Sequence, residues 1–280
     1  AKLKGQIRIS GSKNASLPIL AATLLSNKKI SLTNLPRVKD VETMIKLLES
    51  MGSKVKVSKN KNTLVIKNDK KIKTEASYNL MSTMRAGIIV LGPLLARFGK
   101  ARVSSPGGCN IGFRPIDIHL EALKKMGVKY KIIDGYINAN AKNGLVGAKI
   151  KFPKISVGAT ENLMIAACLA KGQTVLSNCA IEPEIKDLSN FLCSIGAKIV
   201  WTGRRQVKII GIKTFKQSNY KIMFDRIEAG TMLIAGAINQ GNLKITGIES
   251  SILETEIDLL KKIGAKINQK KNEIIIKGNK

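Results

Sequence analysis

One histidine, one tryptophan and four cysteines occur in 280 residues, and aromatic side chains make up only 4%. Cys109, Cys168, Cys179 and Cys193 show no C-x-x-C spacing, and with His119 as the sole histidine they do not supply the usual zinc ligand set, so no metal is expected. The cysteine pattern fits a reducing, cytoplasmic compartment. Few aromatics leave few of the stacking platforms that single-strand nucleic-acid binders use. The longest nearly uncharged apolar stretch, residues 86–96, is well short of the ~20 residues that span a bilayer. The apolar segment 17–25 loosely resembles a secretory signal, but Pro18 near its start and the lack of a small-x-small site read instead as a buried helix.

Acidic residues are also scarce, 19 against 48 Lys and Arg, for a net charge of +29. Such a balance attracts nucleic acid, anionic membranes or phosphorylated metabolites, and does not choose among them. The lysines fall in short scattered runs, as on solvated faces, and not in one arm or tail. With 44% hydrophobic and 24% charged residues the chain reads as a soluble globular protein of one large or two ordinary domains.

What is present is an internal repeat. Four times a helix-like stretch ends in two apolar or small residues, two variable ones, Met or Ile, and Gly: residues 47–52, 122–127, 191–196 and 259–264. The glycines, 52, 127, 196 and 264, are 75, 69 and 68 residues apart. Each precedes a short alternating run, which predicts a helix closed by Gly and followed by a half-buried strand. A more apolar helix precedes each of these, at 15–25, 84–98 with a kink expected at Pro93, 160–170 and 228–239. Helices apolar around most of their circumference need burial on all sides, which suggests repeats packing helices together inside a shell of sheets.

The richest chemical cluster is Pro106-Gly107-Gly108-Cys109-Asn110-Ile111-Gly112-Phe113-Arg114-Pro115. Its glycines predict a loop whose backbone can approach a ligand, and Arg102 and Arg114, if nearby, would favour a thiolate at Cys109. Cys168 and Cys193, in apolar helices, read as packing. Lys13-Asn14 opens the first apolar helix and Arg85 the second, where helix N-termini and a cation can hold phosphate or carboxylate; the plainer reading of Lys13 is a solvated lysine beside a Ser cap. His119 can be read as a core, surface or ligand-contacting residue; spacing does not decide, and a structural role is favoured.

These residues carry a resemblance. Residues 10–15 (SGSKNA), 83–86 (TMRA), 106–117 (PGGCNIGFRPID), 156–160 (SVGAT) and 225–231 (DRIEAGT) resemble the UDP-N-acetylglucosamine 1-carboxyvinyltransferases, over essentially the whole chain. The resemblance implies an inside-out α/β barrel built from repeated units of about 70 residues, with a complete three-unit domain at 13–223 and part of a second from 1–12 and 224–280. It implies transfer of the enolpyruvyl group of phosphoenolpyruvate to the 3′-hydroxyl of UDP-N-acetylglucosamine with release of phosphate, the first committed step of peptidoglycan synthesis. By similarity Cys109 is the proton donor, and Lys13, Asn14 and Arg114 bind phosphoenolpyruvate. Arg85, Arg114, Pro115, Ile116, Asp117, Ile118, Lys154, Ile155, Ser156 and Val157 fall to the nucleotide-sugar. No cofactor, membrane or nucleic-acid partner is implied. An interdomain role is expected for Asp225-Arg226-Ile227-Glu228, against a plain salt-bridged helix start.

The resembled family has three units in each domain, and four are counted here, so a fragment lacking the C-terminal part is expected. With it would go the family's general base and an arginine that grips phosphoenolpyruvate, leaving the 280-residue chain weakly active or inactive. The alternative readings are a non-catalytic remnant or a basic nucleic-acid-binding protein, the latter favoured by a steep salt dependence of retention.

Overall fold

The computed structural model describes residues 2–59, 62–69, 71–105 and 116–278. After β1 (Lys4–Arg8), the first unit holds α1 (Lys13–Ala22), β2 (Ile30–Thr33), α2 (Lys39–Ser50), β3 (Ser53–Val57) and β4 (Thr63–Asn68). The second has β5 (Glu75–Ala76), α3 (Tyr78–Met81), a 3-10 helix Arg85–Val90 running into α4 (Leu91–Phe98), β6 (Lys100–Ser104), α5 (Asp117–Lys125), β7 (Lys129–Ile133) and β8 (Tyr136–Asn140). The third has β9 (Lys149–Lys151), α6 (Val157–Ala167), β10 (Gln173–Ser177), α7 (Pro183–Ser194), β11 (Lys198–Gly203) and β12 (Gln206–Ile210), followed by β13 (Ser218–Lys221). The fourth has α8 (Arg226–Ile238), β14 (Asn242–Thr246), α9 (Glu254–Lys262), β15 (Lys266–Lys270) and β16 (Glu273–Lys277).

The units share one sheet plan: an edge strand pairs parallel with the strand that follows the inner helix, which pairs antiparallel with the last strand, which pairs antiparallel with the one just before it in the chain. The orders are β13-β2-β4-β3, β5-β6-β8-β7, β9-β10-β12-β11 and β1-β14-β16-β15. Along the last strand of each unit, β4, β8, β12 and β16, every other residue is buried, Leu64 and Ile66, Ile137 and Ala139, Val207 and Ile209, Ile274 and Ile276, so one face packs on helices and the other meets water.

The repeat glycines do what the motif requires. Gly52, Gly127, Gly196 and Gly264 have φ between +91° and +107°, a region that penalises any Cβ. The amides of Gly127, Gly196 and Gly264 bond the carbonyls of Lys124, Cys193 and Lys261, and the next residues, Val128, Ala197 and Ala265, reach back to Leu123, Leu192 and Leu260. This paired closure ends each helix and turns the chain into the following strand.

The apolar helices lie inside the sheets, an inside-out arrangement. Residues 15–22 of α1 and 159–167 of α6 are all buried, as are Leu91–Leu95 of α4. Gly92 permits a close approach of α4 to α6: a Cβ there would stand 2.2 Å from Asn162 Oδ1, which instead accepts the Gly92 amide at 2.7 Å. The helix expected at 84–98 is a 3-10 segment and an α-helix that join at Val90–Leu91, ahead of Pro93. Pro93 is the third residue of α4, within the first turn, where proline is tolerated because its missing amide would have no partner inside α4.

Two hydrophobic cores form. One runs from Ala15 to Ile222; the other combines Ile9 with residues from Phe224 to Ile276. β13, from the end of the third unit, closes the first core by completing the sheet of the first unit. Tyr220 on β13 stacks edge-on with Phe191 of α7 at 5.4 Å and donates its hydroxyl to Asp187 at 2.7 Å. Asp187 also accepts the Met223 amide, fastening the closing strand to α7. In the fourth unit, α8 buries Ala229, Gly230, Leu233 and Gly236 but leaves Ile227, Ile234 and Ile238 half or more exposed. No helix among the described residues is long and apolar enough to cross a membrane.

Gly92→Ala is expected to lower folding stability by about 1–3 kcal/mol, since either the helices separate or the Asn162 bond is lost. Urea unfolding checks this, and an unchanged midpoint would rule out the close contact of α4 with α6.

Candidate functional site

The N-terminal ends of the inner helices converge on a cleft of about 690 Å³. Lys13 and Asn14 enter it from α1, Arg85 from the start of the 3-10 helix, and Ser156, Val157 and Gly158 from α6. The sequence caps these ends locally. Ser12 Oγ accepts the Ala15 amide at 3.2 Å, and Ser156 Oγ accepts that of Ala159 at 3.3 Å. Pro18 carries no amide, so the helical bond to the Asn14 carbonyl one turn earlier cannot form, at a point where both residues line the cleft. Aligned helix dipoles and unpaired first-turn amides make such a junction favourable to anions.

The side chains balance this field. Lys13 Nζ lies 3.2 Å from Asp40 on α2, and Arg226 Nε lies 3.0 and 3.2 Å from the two carboxylate oxygens of Glu184, which is buried. Glu161 and Glu182 complete the acidic side of the cleft. Burial first, then the charges of Glu184 and Glu182, push Glu161 well above the usual carboxylate range. A carboxyl so placed favours its protonated form. No cluster able to hold a metal occurs among the described residues.

His119 of α5 also lines the cleft; it is 5% exposed and contacts buried Asn162 of α6, Nδ1 to Nδ2, at 3.1 Å. Burial and then Arg85 lower the imidazole to about 4, against a smaller upward pull from Asp117.

The chain passes between the two cores at 9–12 and 222–225, and these segments pair: the Ser12 amide bonds the Met223 carbonyl at 2.8 Å and the Asp225 amide that of Ser10 at 2.9 Å. Asp225 caps α8 through the amides of Ile227 and Glu228, and its other oxygen accepts the Lys13 amide at 3.1 Å. One carboxylate thus holds the first residue of α1 and the first turn of α8. Glu228 reaches back to the amide and hydroxyl of Ser10.

Of the residues expected at a site, Lys13, Asn14, Arg85, Ile155, Ser156 and Val157 share this cleft. Lys154 is exposed just before them, outside the lining. Ile116, Asp117 and Ile118 form the start of α5 and are not lining residues, with Ile118 buried in the core. Cys109, Arg114 and Pro115, with the rest of 106–115, lie outside the described residues. Cys168 is buried as expected and its thiol pushed up by that burial, whereas Cys193 is exposed on α7 and not packed, because it faces away from Phe191 and Leu192. Asp40, Glu161, Glu182 and Glu184 escaped the sequence reading; acids in a chain with so few were the available signal.

The sequence matches the EPSP synthase (3-phosphoshikimate 1-carboxyvinyltransferase) family over residues 1–280. It is 70% identical over 280 residues to a UDP-N-acetylglucosamine 1-carboxyvinyltransferase of Pelagibacter ubique, all of this chain against 67% of that one. The protein of the same name from Trichlorobacter lovleyi is 46% identical over 279 residues, covering 66% of its length. The chain thus spans about two thirds of these relatives. Among solved structures, the enolpyruvyl transferase NikO from Streptomyces tendae superposes with a TM-score of 0.89 at 21% identity, over 99% of this chain and 66% of that one. EPSP synthase from Acinetobacter baumannii gives 0.77 at 17% identity, over 98% and 64%. At such identities these two establish the shared fold.

The His119 environment sets a stability effect with a definite sign. The unfolded chain takes up its proton near pH 6.5 and the folded one only near 4, so stability falls as pH drops through that window, by on the order of 3 kcal/mol in full, and levels off below it. In His119→Gln that component disappears. Denaturation midpoints at pH 7, 5.5 and 4.5 for both proteins check it; parallel curves would place His119 in water.

Proposed function

Because the chain belongs to the EPSP synthase family of carboxyvinyltransferases, alongside proteins named UDP-N-acetylglucosamine 1-carboxyvinyltransferase, we propose that it carries out the enolpyruvyl transfer of that name, from phosphoenolpyruvate to the 3′-hydroxyl of UDP-N-acetylglucosamine. The observation that carries the reading is the convergence of Lys13, Asn14, Arg85 and Ser156 on one cleft at the helix N-termini, where a triply anionic reactant and a nucleotide diphosphate find cations and amides. Cytoplasmic peptidoglycan synthesis is the setting.

In this reading Cys109 donates a proton to the methylene carbon of phosphoenolpyruvate, and the neighbouring carbon, left with cationic character, is attacked by the sugar hydroxyl, whose proton passes to a general base. The tetrahedral adduct then returns a proton from its methyl group and expels phosphate, leaving the enol ether. Lys13, Asn14 and Arg114 hold the phosphate and carboxylate of phosphoenolpyruvate. Arg85, residues 114–118 and residues 154–157 hold the nucleotide-sugar, Ile118 through its backbone because its side chain is in the core. A complete domain, 13–223, and the part of a second formed by 1–12 with 224–280 are the walls, and the paired crossing at Asp225 is their hinge. Positioning both reactants and excluding water need both walls, so the 280-residue chain binds weakly and turns over slowly beside a full-length relative.

Phosphate release from phosphoenolpyruvate plus UDP-N-acetylglucosamine tests the reading. It is expected from the chain extended to the length of its relatives, and Cys109→Ala should lower it by about 10²- to 10⁴-fold, the range of a positioned acid. No release from either the 280-residue or the extended chain would end the enzymatic reading and leave the remnant or the nucleic-acid binder.

Asp225→Ala should cost about 0.5–2 kcal/mol through loss of the α8 cap, and more if the Lys13 amide finds no other acceptor. Thermal unfolding reads this loss. A hinge role further requires that substrate-induced compaction in small-angle scattering change in the variant while circular dichroism stays unchanged.

A further inference from the structure

Arg226 reaches the cleft from the second core, whereas Lys13 and Arg85 reach it from the first. It is the first residue of α8, and its side chain lines the cleft and is partly exposed there. Asp225, the residue before it, holds the Lys13 amide, so the two cations start from adjoining points on either side of the boundary.

The guanidinium is fixed through one nitrogen only. Both carboxylate oxygens of Glu184 accept from Nε, at 3.0 and 3.2 Å, and the four Nη–H donors have no partner among the described residues. Glu184 is a firm anchor. It is buried, it lies in the first turn of α7, where the helix dipole favours its charge, and it makes no other hydrogen bond among the described residues.

The other acids of the cleft do not take up the free donors. Asp40 holds Lys13, and Glu182 accepts the Ile181 amide at 2.9 Å. Glu161 favours its neutral form, because burial and then Glu184 and Glu182 oppose its charge. Paired N–H donors that the counter-ion does not engage match the oxygen pair of a carboxylate or phosphate.

We propose that Arg226 is an anion-binding residue of the cleft, whose Nη groups take an oxygen pair of phosphoenolpyruvate from the second-core side, and that Glu184 is the positioning residue that aims them. This arginine is additional to the one that the resemblance assigns to the C-terminal part. The choice of phosphoenolpyruvate rests on the function proposed above; the anion site on Arg226 does not.

In the ¹⁵N-arginine-labelled 280-residue chain, the Arg226 Nε–H signal is identified by its loss in the double variant Arg226→Gln with Glu184→Gln. Phosphoenolpyruvate should shift it, and two probes divide the ligand, sulfate for the phosphate end and pyruvate for the carboxylate end. The double variant removes cation and counter-ion together, so that no buried acid is left unpaired, and it should bind phosphoenolpyruvate about 10- to 100-fold more weakly than Glu184→Gln alone. Glu184→Gln, whose amide oxygen still accepts from Nε, should stay within about threefold of the parent, whereas Glu184→Leu, with nothing to aim the guanidinium, should lose about tenfold. Equal binding by those two single variants would remove the positioning role. Should the Leu variant not fold, hydrogen exchange of Arg226 Nε–H in the parent decides that role: protection keeps it, free exchange removes it. Phosphoenolpyruvate binding by calorimetry without an Nε–H shift, or equal binding by the double variant and Glu184→Gln, overturns the anion site and leaves the proposed function standing. If phosphoenolpyruvate does not bind, the proposed function loses its donor substrate and the probes decide the site: a shift from sulfate or pyruvate keeps it, none removes it. Where both probes bind, the larger loss in the double variant names the end that Arg226 holds.

Discussion

Everything in this protein follows from three helices that cannot face water. In α1 and α6 nearly every position is apolar or small and buried, so neither has a polar side to turn outward. Their only stable environment is one another and the inner faces of the sheets. Once they pack with their N-terminal ends together, the unpaired first-turn amides of each are gathered in one place, and burial of those ends without partners would be costly. The cleft is the outcome: the helix ends stay open to solvent or ligand while the rest of each helix is sealed.

The same constraint explains what was legible in the sequence and what was not. The repeat could be read because its marks are local: a glycine at positive φ, an apolar residue on either side of it, and alternation in the strand beyond. Lys13 and Arg85 could be placed because helix starts are also written locally, in caps and flanking residues, whereas Ser156 came from the resemblance, the helix it caps being expected only from 160. The Asn162–His119–Gly92 cluster could not, since its members are 43 and 70 residues apart and meet only where α4, α5 and α6 cross. The break in the helix expected at 84–98 was hidden for a related reason. A proline is tolerated in the first turn of an α-helix, and Pro93 came to lie there when the preceding residues formed a 3-10 helix. Cys193 shows the limit of composition: an apolar helix still has an outer side.

Net charge is a poor guide to the cleft. The chain carries +29, yet Asp40, Glu161, Glu182 and Glu184, four of only 19 acids, line a single cavity. Lys13 and Arg226 are each matched by one of them, so the cations are held in place without an excess of positive charge. Exposed lysines elsewhere are screened within about 10 Å at ordinary ionic strength. The field an anion meets at the helix ends is therefore set by amides, dipoles and paired side chains, and the surface lysines contribute chiefly to long-range attraction.

Asp225 joins these levels. Its carboxylate caps α8, whose core is separate from that of α1, while holding the amide of Lys13 at the cleft. Arg226, one residue on, pairs with Glu184 of α7 across the same boundary. A rotation of one core against the other must change one of these bonds, because each spans the paired crossing of 10–12 with 223–225. Lys13 is thus tied at both ends, by its amide to Asp225 and by its ammonium to Asp40. The placement of a cleft cation and the relative placement of the two cores are the same mechanical variable, and a ligand that draws Lys13 away from Asp40 acts on both.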